Sequence, residues 1–200
     1  AWLPADSALR IREALRDAAT PLPFVSCVPF GRDRAGVLLR AAAHETPSDE
    51  LLARIEALLG LDGADALRYV DRKKGQRRVV RLIRAGDDAH LDAFLLGGDT
   101  RAEAWIRALL QDELPAQSYG RLLLSPGAKP PVAIQTKGRQ VCTCFNVDED
   151  TIKTTLAECR GTADDRLGQL QQRLKCGTNC GSCVPELKRL VQAVPAPAIV

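Results

Sequence analysis

The sequence lacks the features that mark membrane, exported and nucleic-acid-binding proteins. Apolar runs stay well below the roughly 18 residues of a membrane-spanning helix, so the sequence predicts no membrane association. Its first residues lack a basic segment followed by an apolar one, and we therefore expect a cytoplasmic protein without an export signal. Lys and Arg total 28 against 25 Asp and Glu, and the net charge of +3 gives no strong attraction to nucleic acid.

Methionine is also absent, so either an initiator was removed before Ala1 or the chain is cut from a longer one. Only two histidines occur, His44 and His90, and because each is isolated we expect neither to act as a base or a metal ligand. No Gly-x-Gly-x-x-Gly motif occurs, so the sequence predicts no NAD or FAD binding.

Residues 1–125 are predicted to form an α+β domain, a small antiparallel sheet with helices. Hydrophobic periodicity and capping residues predict the following elements: a helix within residues 1–19 capped by Asp6 or Ser7, a hairpin of residues 24–28 and 35–39, a helix capped by Ser48 that ends at Gly60, strands at 67–70, 78–83 and 90–96, and a helix capped by Thr100 that ends near Pro115. Residues 126–138, rich in Pro, Gly and Lys, are predicted to be a linker.

A basic run, residues 72–78, with Arg81 and Arg84 beyond it, lies in the predicted meander. Such a run can bind an acidic redox partner or nucleic acid, but no aromatic residues are interleaved with it. We therefore interpret it as the charged, solvated surface of a hairpin.

Residues 139–200 are predicted to form a small, all-α domain. Its first helix begins at Asp148 and ends at Gly161, its second begins with a capping box of Thr162 and Asp165, and its third opens at Pro185. Three short helices bury little apolar surface, so we expect a bound metal to stabilise them.

Cysteine is the informative residue type, with seven in the chain and six of them in its last third. An odd number without an export signal argues against disulfides. Two close pairs, Cys142-x-Cys144 and Cys180-x-x-Cys183, provide four thiolates, which suit either zinc or an iron-sulfur cluster. The Cys-x-Cys spacing is tighter than zinc sites use, and the loop around Cys180 is small and polar, so a redox cluster is favoured over structural zinc.

The other three cysteines have simpler interpretations. Cys27 lies in a predicted strand and Cys159 on the apolar face of a helix, so both are expected to be small buried hydrophobes. Cys176 lies four residues before Cys180, and its position leaves open whether it is a spare thiol or a neighbour of the metal.

The segments VCTCFNV (141–147) and LKCGTNCGSCVPELK (174–188) resemble the bacterioferritin-associated-ferredoxin-like (BFD-like) 2Fe-2S domain. In that family the Cys-x-Cys pair and the last Cys-x-x-Cys pair ligate the cluster. The resemblance therefore implies that Cys142, Cys144, Cys180 and Cys183 bind a 2Fe-2S cluster.

Upstream, the segments FVSCVPFG (24–31), DAFLLGGDTRAEAW (92–105) and LPAQSYGR (114–121) resemble the C-terminal part of assimilatory nitrate reductase large subunits. This resemblance implies an electron-transfer segment of an oxidoreductase, itself without the catalytic site, that delivers electrons to a molybdenum centre. The molybdopterin domains and a 4Fe-4S cluster are expected only upstream in the parent chain. The implied electron donor is a NADH-dependent flavoprotein reductase, a ferredoxin or a flavodoxin.

Three alternatives remain open on the sequence alone. BFD-like domains also occur in nitrite reductase large subunits, and a free-standing ferredoxin-like adaptor is a second possibility. The third is a structural zinc module that binds a partner without redox activity. The meander from Arg77 to Asp99 also resembles the C-terminal interface domain of pyridine-nucleotide-disulfide reductases, which implies no flavin binding by these residues.

Overall fold

The computed structural model describes residues 1–31, 34–129 and 138–195. The elements follow one another in this order: α1 (Ala8–Ala19), β1 (Phe24–Phe30), β2 (Gly36–Ala42), α2 (Asp49–Leu58), β3 (Ala66–Asp71), β4 (Gln76–Ala85), β5 (Asp88–Gly97), α3 (Glu103–Gln111), a 3-10 helix (Gln117–Leu123), β6 (Gln140–Cys142), β7 (Val147–Asp148), α4 (Glu149–Glu158), α5 (Ala163–Leu174) and α6 (Val184–Ala193). Within the described ranges, no helix is long and apolar enough to cross a membrane.

The chain divides into two compact units, each made of two segments. Unit 1 contains residues 1–27 and 36–135, and unit 2 contains residues 28–35 and 136–200. The sequence pattern places residues 28–35 in the first domain, whereas they lie in unit 2. Of the predicted linker 126–138, residues 130–137 lie outside the described part of the chain.

Unit 1 is built on the predicted meander, which the structure confirms. Strands β3, β4 and β5 form an antiparallel sheet in that order, with Leu67 opposite Val80 and Val80 opposite Phe94. Strands β1 and β2 form the predicted hairpin as a separate two-stranded sheet. The core of this unit consists of buried apolar side chains from the helices and strands: Leu15, Val37, Ile55, Leu59, Leu61, Val79 and Ala93 are among them.

Helix capping in unit 1 follows the prediction at one helix and departs from it at two. The Ser48 hydroxyl accepts a hydrogen bond from the Leu51 amide (3.2 Å), so α2 begins as predicted. Ser7 precedes α1, but its hydroxyl donates to Asp6 rather than accepting from the helix. Thr100 does not cap α3, because its carbonyl oxygen accepts from the Glu103 amide in a turn before the helix and Ala102 holds the N-cap position.

The basic run is less exposed than the sequence predicts. Arg78 is only 1% exposed and donates to the carbonyl oxygens of Leu123 and Asp99. Arg77 pairs with Glu56 of α2, and Arg81 pairs with Asp92 of β5. The prediction of a solvated hairpin is therefore wrong for β4. This strand is the central one of its sheet, and Arg77, Arg78 and Arg81 bind carboxylates and carbonyl oxygens of neighbouring segments.

Unit 2 contains the three predicted helices α4, α5 and α6. The Asp148 carboxylate caps α4 by accepting from the Thr151 amide (2.8 Å), and Thr162 with Asp165 forms the predicted capping box of α5. A short antiparallel pair, β6 and β7, precedes the helices and was not predicted. The core of unit 2 combines aliphatic side chains with cysteines: Cys142, Cys144, Val147, Ile152, Leu156, Leu170, Cys176, Cys183, Leu187, Leu190 and Val191.

Candidate metal centre

The first cysteine pair lies on the tight connection between β6 and β7. Strand β6 ends at Cys142 and β7 begins at Val147, so Cys144 lies in the turn between them. Asn146 completes this turn with a φ of 51°, a left-handed conformation that asparagine tolerates better than most residues. The turn places the Cys142 and Cys144 side chains on the same side, where both are buried.

The second pair lies on the loop that joins α5 to α6. Helix α5 ends at Leu174, and Lys175 adopts a left-handed conformation that reverses the chain. Cys180 follows on the loop and is exposed, whereas Cys183 is buried at the N-cap of α6. This loop brings the second pair to the first.

The structure brings the four predicted cysteines together. The sulfur atoms of Cys144 and Cys180 lie 3.1 Å apart, although the two residues are 36 positions apart in sequence. In this contact the Cys144 thiol donates to the Cys180 sulfur, and the Cys142 sulfur lies close enough to the thiols of Cys144 and Cys183 for hydrogen bonding with them to lower its pKa. Each Cys-x-Cys sulfur is therefore in contact with a sulfur of the Cys-x-x-Cys pair.

Each of these four sulfurs also accepts a hydrogen bond from a backbone amide. Phe145 donates to Cys142, Cys180 to Cys144, Ser182 to Cys180, and Gly177 to Cys183. The Ser182 hydroxyl adds a contact of 3.0 Å to the Cys180 sulfur. Amide hydrogen bonds stabilise negative charge on sulfur, which is what a thiolate ligand requires.

The pKa values show how the charge is distributed among these thiols. Hydrogen bonds from the Cys144 and Cys176 thiols lower the pKa of Cys142 far below that of a free thiol. The pKa of Cys144 is raised, first because it donates to Cys142 and then because it is buried. Partial burial opposes ionisation of Cys180, but the bonds from Ser182 outweigh it and the net pKa is lowered. Burial, and then the charge of Cys142, raises the pKa of Cys183 to about 11.

Two contacts at this site involve residues that sequence reasoning did not assign to it. Cys176 is fully buried, its thiol donates to the Leu174 carbonyl oxygen (3.8 Å), and its hydrogen bonding also helps to lower the pKa of Cys142, so it lies beside the proposed ligands. The Gly31 amide donates to the carbonyl oxygen of Cys144 (2.8 Å). The position of Cys176 next to the motif was a usable signal, whereas nothing in the sequence links Gly31 to a residue more than a hundred positions away.

The remaining candidates have other contacts. Cys159 is fully buried, as predicted, and its thiol donates to the Thr155 carbonyl oxygen. Cys27 is half-buried in unit 1. There, His44 contacts the ring of Phe24 edge-on, and His90 bonds the Glu113 carbonyl oxygen.

The donor set fits an iron-sulfur cluster. Soft thiolates from a Cys-x-Cys and a Cys-x-x-Cys pair match what such clusters require, and the amide donors match the hydrogen bonds that set their potentials. Among the described residues, no group of three or more His, Cys, Asp and Glu side chains is arranged to enclose a single metal ion. The evidence for this site in the structure is therefore the contact between sulfur atoms of the two cysteine pairs.

Comparison with known families identifies the class of this site. Residues 140–193, which include all four cysteines, match the BFD-like 2Fe-2S binding domain. This part of the chain is therefore a BFD-like domain whose cofactor is a 2Fe-2S cluster, and the chain carries an iron-sulfur electron-transfer module.

Comparison with individual proteins gives a more specific relative. The chain is 44% identical over 97 residues to a protein from Klebsiella oxytoca named nitrate reductase. The alignment covers 47% of this chain and 10% of that relative, so the chain spans about a tenth of the curated relative's length. No solved structure matches the chain significantly.

Proposed function

We propose that Cys142, Cys144, Cys180 and Cys183 hold the 2Fe-2S cluster and that the chain passes single electrons toward the molybdenum centre of an assimilatory nitrate reductase. The observation that carries the ligand assignment is the contact between the two cysteine pairs, in which the sulfur atoms of Cys144 and Cys180 lie 3.1 Å apart. When bound, a 2Fe-2S cluster accepts and releases one electron at a time.

The protein side chains and amides have two tasks in this proposal. The amides of Phe145, Gly177, Cys180 and Ser182 stabilise the thiolates and help to set the reduction potential. Burial of Cys142, Cys144 and Cys183 shields three ligands from solvent, while Cys180 is exposed. We therefore expect a redox partner to approach the site from the side of Cys180.

The proposal extends to the surroundings of the chain. The donor is a NADH-dependent flavoprotein reductase, a ferredoxin or a flavodoxin, and the acceptor lies in molybdopterin domains of the same parent chain in the cytoplasm. We place the domain boundary in residues 126–138, between an α+β domain and the cluster domain. The similarity to the Klebsiella oxytoca nitrate reductase supports a larger parent chain of this kind, and no residue of this chain is assigned to bind nitrate.

The first test is the visible absorption spectrum of anaerobically purified protein, with iron and acid-labile sulfide measured on the same sample. We expect about two iron and two sulfide per chain, and colour that bleaches on reduction. Cys180→Ser should abolish or destabilise the cluster, whereas Cys27→Ser in unit 1 should leave it intact. A colourless protein that resists reconstitution and binds one zinc per chain would replace this proposal with a structural zinc module.

The electron path needs a separate test. The oxidised protein is mixed anaerobically with NADH and a flavoprotein reductase, and bleaching of the cluster is followed in time. We expect bleaching that depends on the reductase and is absent in Cys180→Ser. If dithionite reduces the cluster but no flavoprotein, ferredoxin or flavodoxin does, the proposed donor classes are wrong while the ligand assignment stands.

A further inference from the structure

The cluster domain has a component that lies far from its sequence motif. The family match covers residues 140–193, yet unit 2 also contains residues 28–35, which include the end of β1. Val28 packs against the core that contains Cys142 and Cys144, and Phe30 is buried. We call residues 28–31 the hairpin tip.

The hairpin tip makes one hydrogen bond at the proposed ligands. The Gly31 amide donates to the carbonyl oxygen of Cys144, at 2.8 Å. That carbonyl belongs to the peptide group between Cys144 and Phe145, whose own N–H donates to the Cys142 sulfur. A peptide group is rigid and planar, with its C=O and N–H pointing in opposite directions. Fixing the oxygen with Gly31 therefore also fixes the amide that points at the sulfur.

The two hydrogen bonds form a continuous chain from Gly31 through one peptide group to Cys142. Hydrogen bonds in series polarise each other, so the bond at the carbonyl strengthens the one at the sulfur. Gly31 has a φ of 97°, a conformation that favours glycine, so a side chain at this position would strain the backbone that carries the amide. Val28 packs against the core cluster that contains the same two cysteines and so adds apolar cover to it.

We propose that the hairpin tip is part of the cluster pocket, with Gly31 as a positioning residue that orients the Cys144–Phe145 peptide toward the Cys142 sulfur and Val28 as its apolar cover. This inference rests on the proposed function, since it takes Cys142 and Cys144 to be ligands. It assigns to the cluster a segment that the BFD-like family match does not include.

The test compares substitutions in the hairpin tip with matched substitutions in unit 1, all in the full chain. Gly31→Ala is paired with Gly86→Ala, because Gly86 also has a positive φ (66°) and open space around its Cα. Val28→Asp is paired with Val25→Asp, because Val25 lies on the same strand and is 40% exposed. The readouts are the rate of iron loss to a chelator, the midpoint potential, and hydrogen exchange at the Phe145 amide.

We expect Gly31→Ala and Val28→Asp to lose iron about tenfold faster than the wild type, the size of effect typical of outer-shell partners of metal ligands. Gly31→Ala should also shift the midpoint potential and speed exchange at the Phe145 amide. Gly86→Ala and Val25→Asp should match the wild type in every readout.

If both hairpin-tip variants retain wild-type iron loss, potential and exchange, the inference is overturned while the proposed function stands. A wild-type chain that cannot be loaded with iron and sulfide would instead overturn the proposed function, and the inference with it. If one hairpin-tip variant fails to fold, shown by circular dichroism, the other hairpin-tip variant decides.

Discussion

At the scale of single residues, Cys142 is the thiol on which the hydrogen bonds of the site converge. Hydrogen bonding with the thiols of Cys144, Cys176 and Cys183 and with the Phe145 amide lowers its pKa. In the proposed cluster-bound protein, Cys144 and Cys183 are themselves ligands and carry no proton to donate. Cys176 is then the remaining thiol beside Cys142 that can donate to it, which makes it a positioning residue and not a fifth ligand.

Replacing Cys176 tests this role. We expect Cys176→Ala to keep the full iron and sulfide content, because no proposed ligand is removed. Loss of a hydrogen bond to a ligand sulfur of about 1 kcal/mol should lower the midpoint potential by about 40 mV for one electron. Potentiometry followed by visible absorption measures the shift. Cys176→Ser, which keeps a donor, should shift the potential less, whereas loss of iron in Cys176→Ala would make this cysteine a ligand.

Gly177 lies on the loop between α5 and α6, at a position where the backbone and the neighbouring side chains leave no room for a side chain. It has a φ of 79°, and a Cβ at this position would lie 2.9 Å from the Val184 side chain and 3.3 Å from that of Leu187. Its amide also donates to the Cys183 sulfur. A side chain here would therefore strain the backbone, crowd the start of α6 and displace the loop.

We expect Gly177→Ala to lower the free energy of unfolding of the protein by about 2 kcal/mol more than Gly181→Ala does. Gly181 is the matched control, because it lies on the same loop with a similar φ (73°) but has no atom within 4 Å of the position that an alanine methyl group would occupy. Urea unfolding of the iron-free protein measures both. Equal effects of the two substitutions would show that backbone strain alone, and not the contact with α6, lowers the free energy of unfolding.

At the scale of elements, Arg166 joins the three helices of unit 2. It lies near the start of α5 and is 5% exposed. Its guanidinium donates to the carbonyl oxygens of Leu156 near the end of α4, and of Val191 and Val194 at the end of α6. A positive charge at the C-terminal ends of two helices interacts favourably with their dipoles, and it supplies donors to the carbonyls of Val191 and Val194 at the end of α6.

Arg166→Met should therefore destabilise unit 2, because it fills the volume but leaves buried carbonyl oxygens without donors. We expect a loss of about 3 kcal/mol in the free energy of unfolding, measured by urea denaturation. Arg173→Met on the same helix removes an exposed ion pair with Glu158 and should cost less than about 1 kcal/mol. A similar cost for both substitutions would contradict the role of Arg166 at the helix ends.

The same elements show what the sequence could predict. Caps and periodicity are local, and so Ser48, Asp148 and the Thr162–Asp165 box were identified correctly. Motif spacing pointed to two cysteine pairs, and the structure places the sulfur atoms of Cys144 and Cys180, one from each pair, in contact. The Thr100 cap was predicted wrongly, because a turn residue and a capping residue have the same local pattern and the backbone bond from Glu103 decides between them.

Contacts between distant segments were beyond prediction. The burial of Arg78 depends on carbonyls of Asp99 and Leu123, and the contact of Gly31 with Cys144 joins separate regions of the chain. Neither residue has a neighbour in sequence that indicates its partner. The basic run was interpreted as solvated because charge patterning alone does not reveal that β4 is a central strand.

At the scale of the whole molecule, the two units differ in what their cores are made of. Unit 1 packs side chains such as Leu15, Ile55, Leu61 and Val79 around a three-stranded sheet. In the unit 2 core, four of the eleven buried residues named above are cysteines. Three of these are proposed ligands, so removing iron would leave free thiols in the core and remove the iron–sulfur bonds that join its segments. A small core of this kind depends on its metal for much of its stability.

Iron removal should therefore affect the two units differently. In the full chain treated anaerobically with a chelator, we expect amides of α4, α5 and α6 to exchange hydrogen at least about tenfold faster than in the loaded protein, a loss of about 1.4 kcal/mol or more of local stability. Amides of β4 and β5, whose core contains none of the proposed ligands, should keep their rates. Hydrogen exchange read residue by residue measures both sets, and reloading with iron and sulfide should restore protection. Unchanged protection in α4–α6 after full iron loss would show that the helices pack stably without the cluster and that the metal serves electron transfer alone.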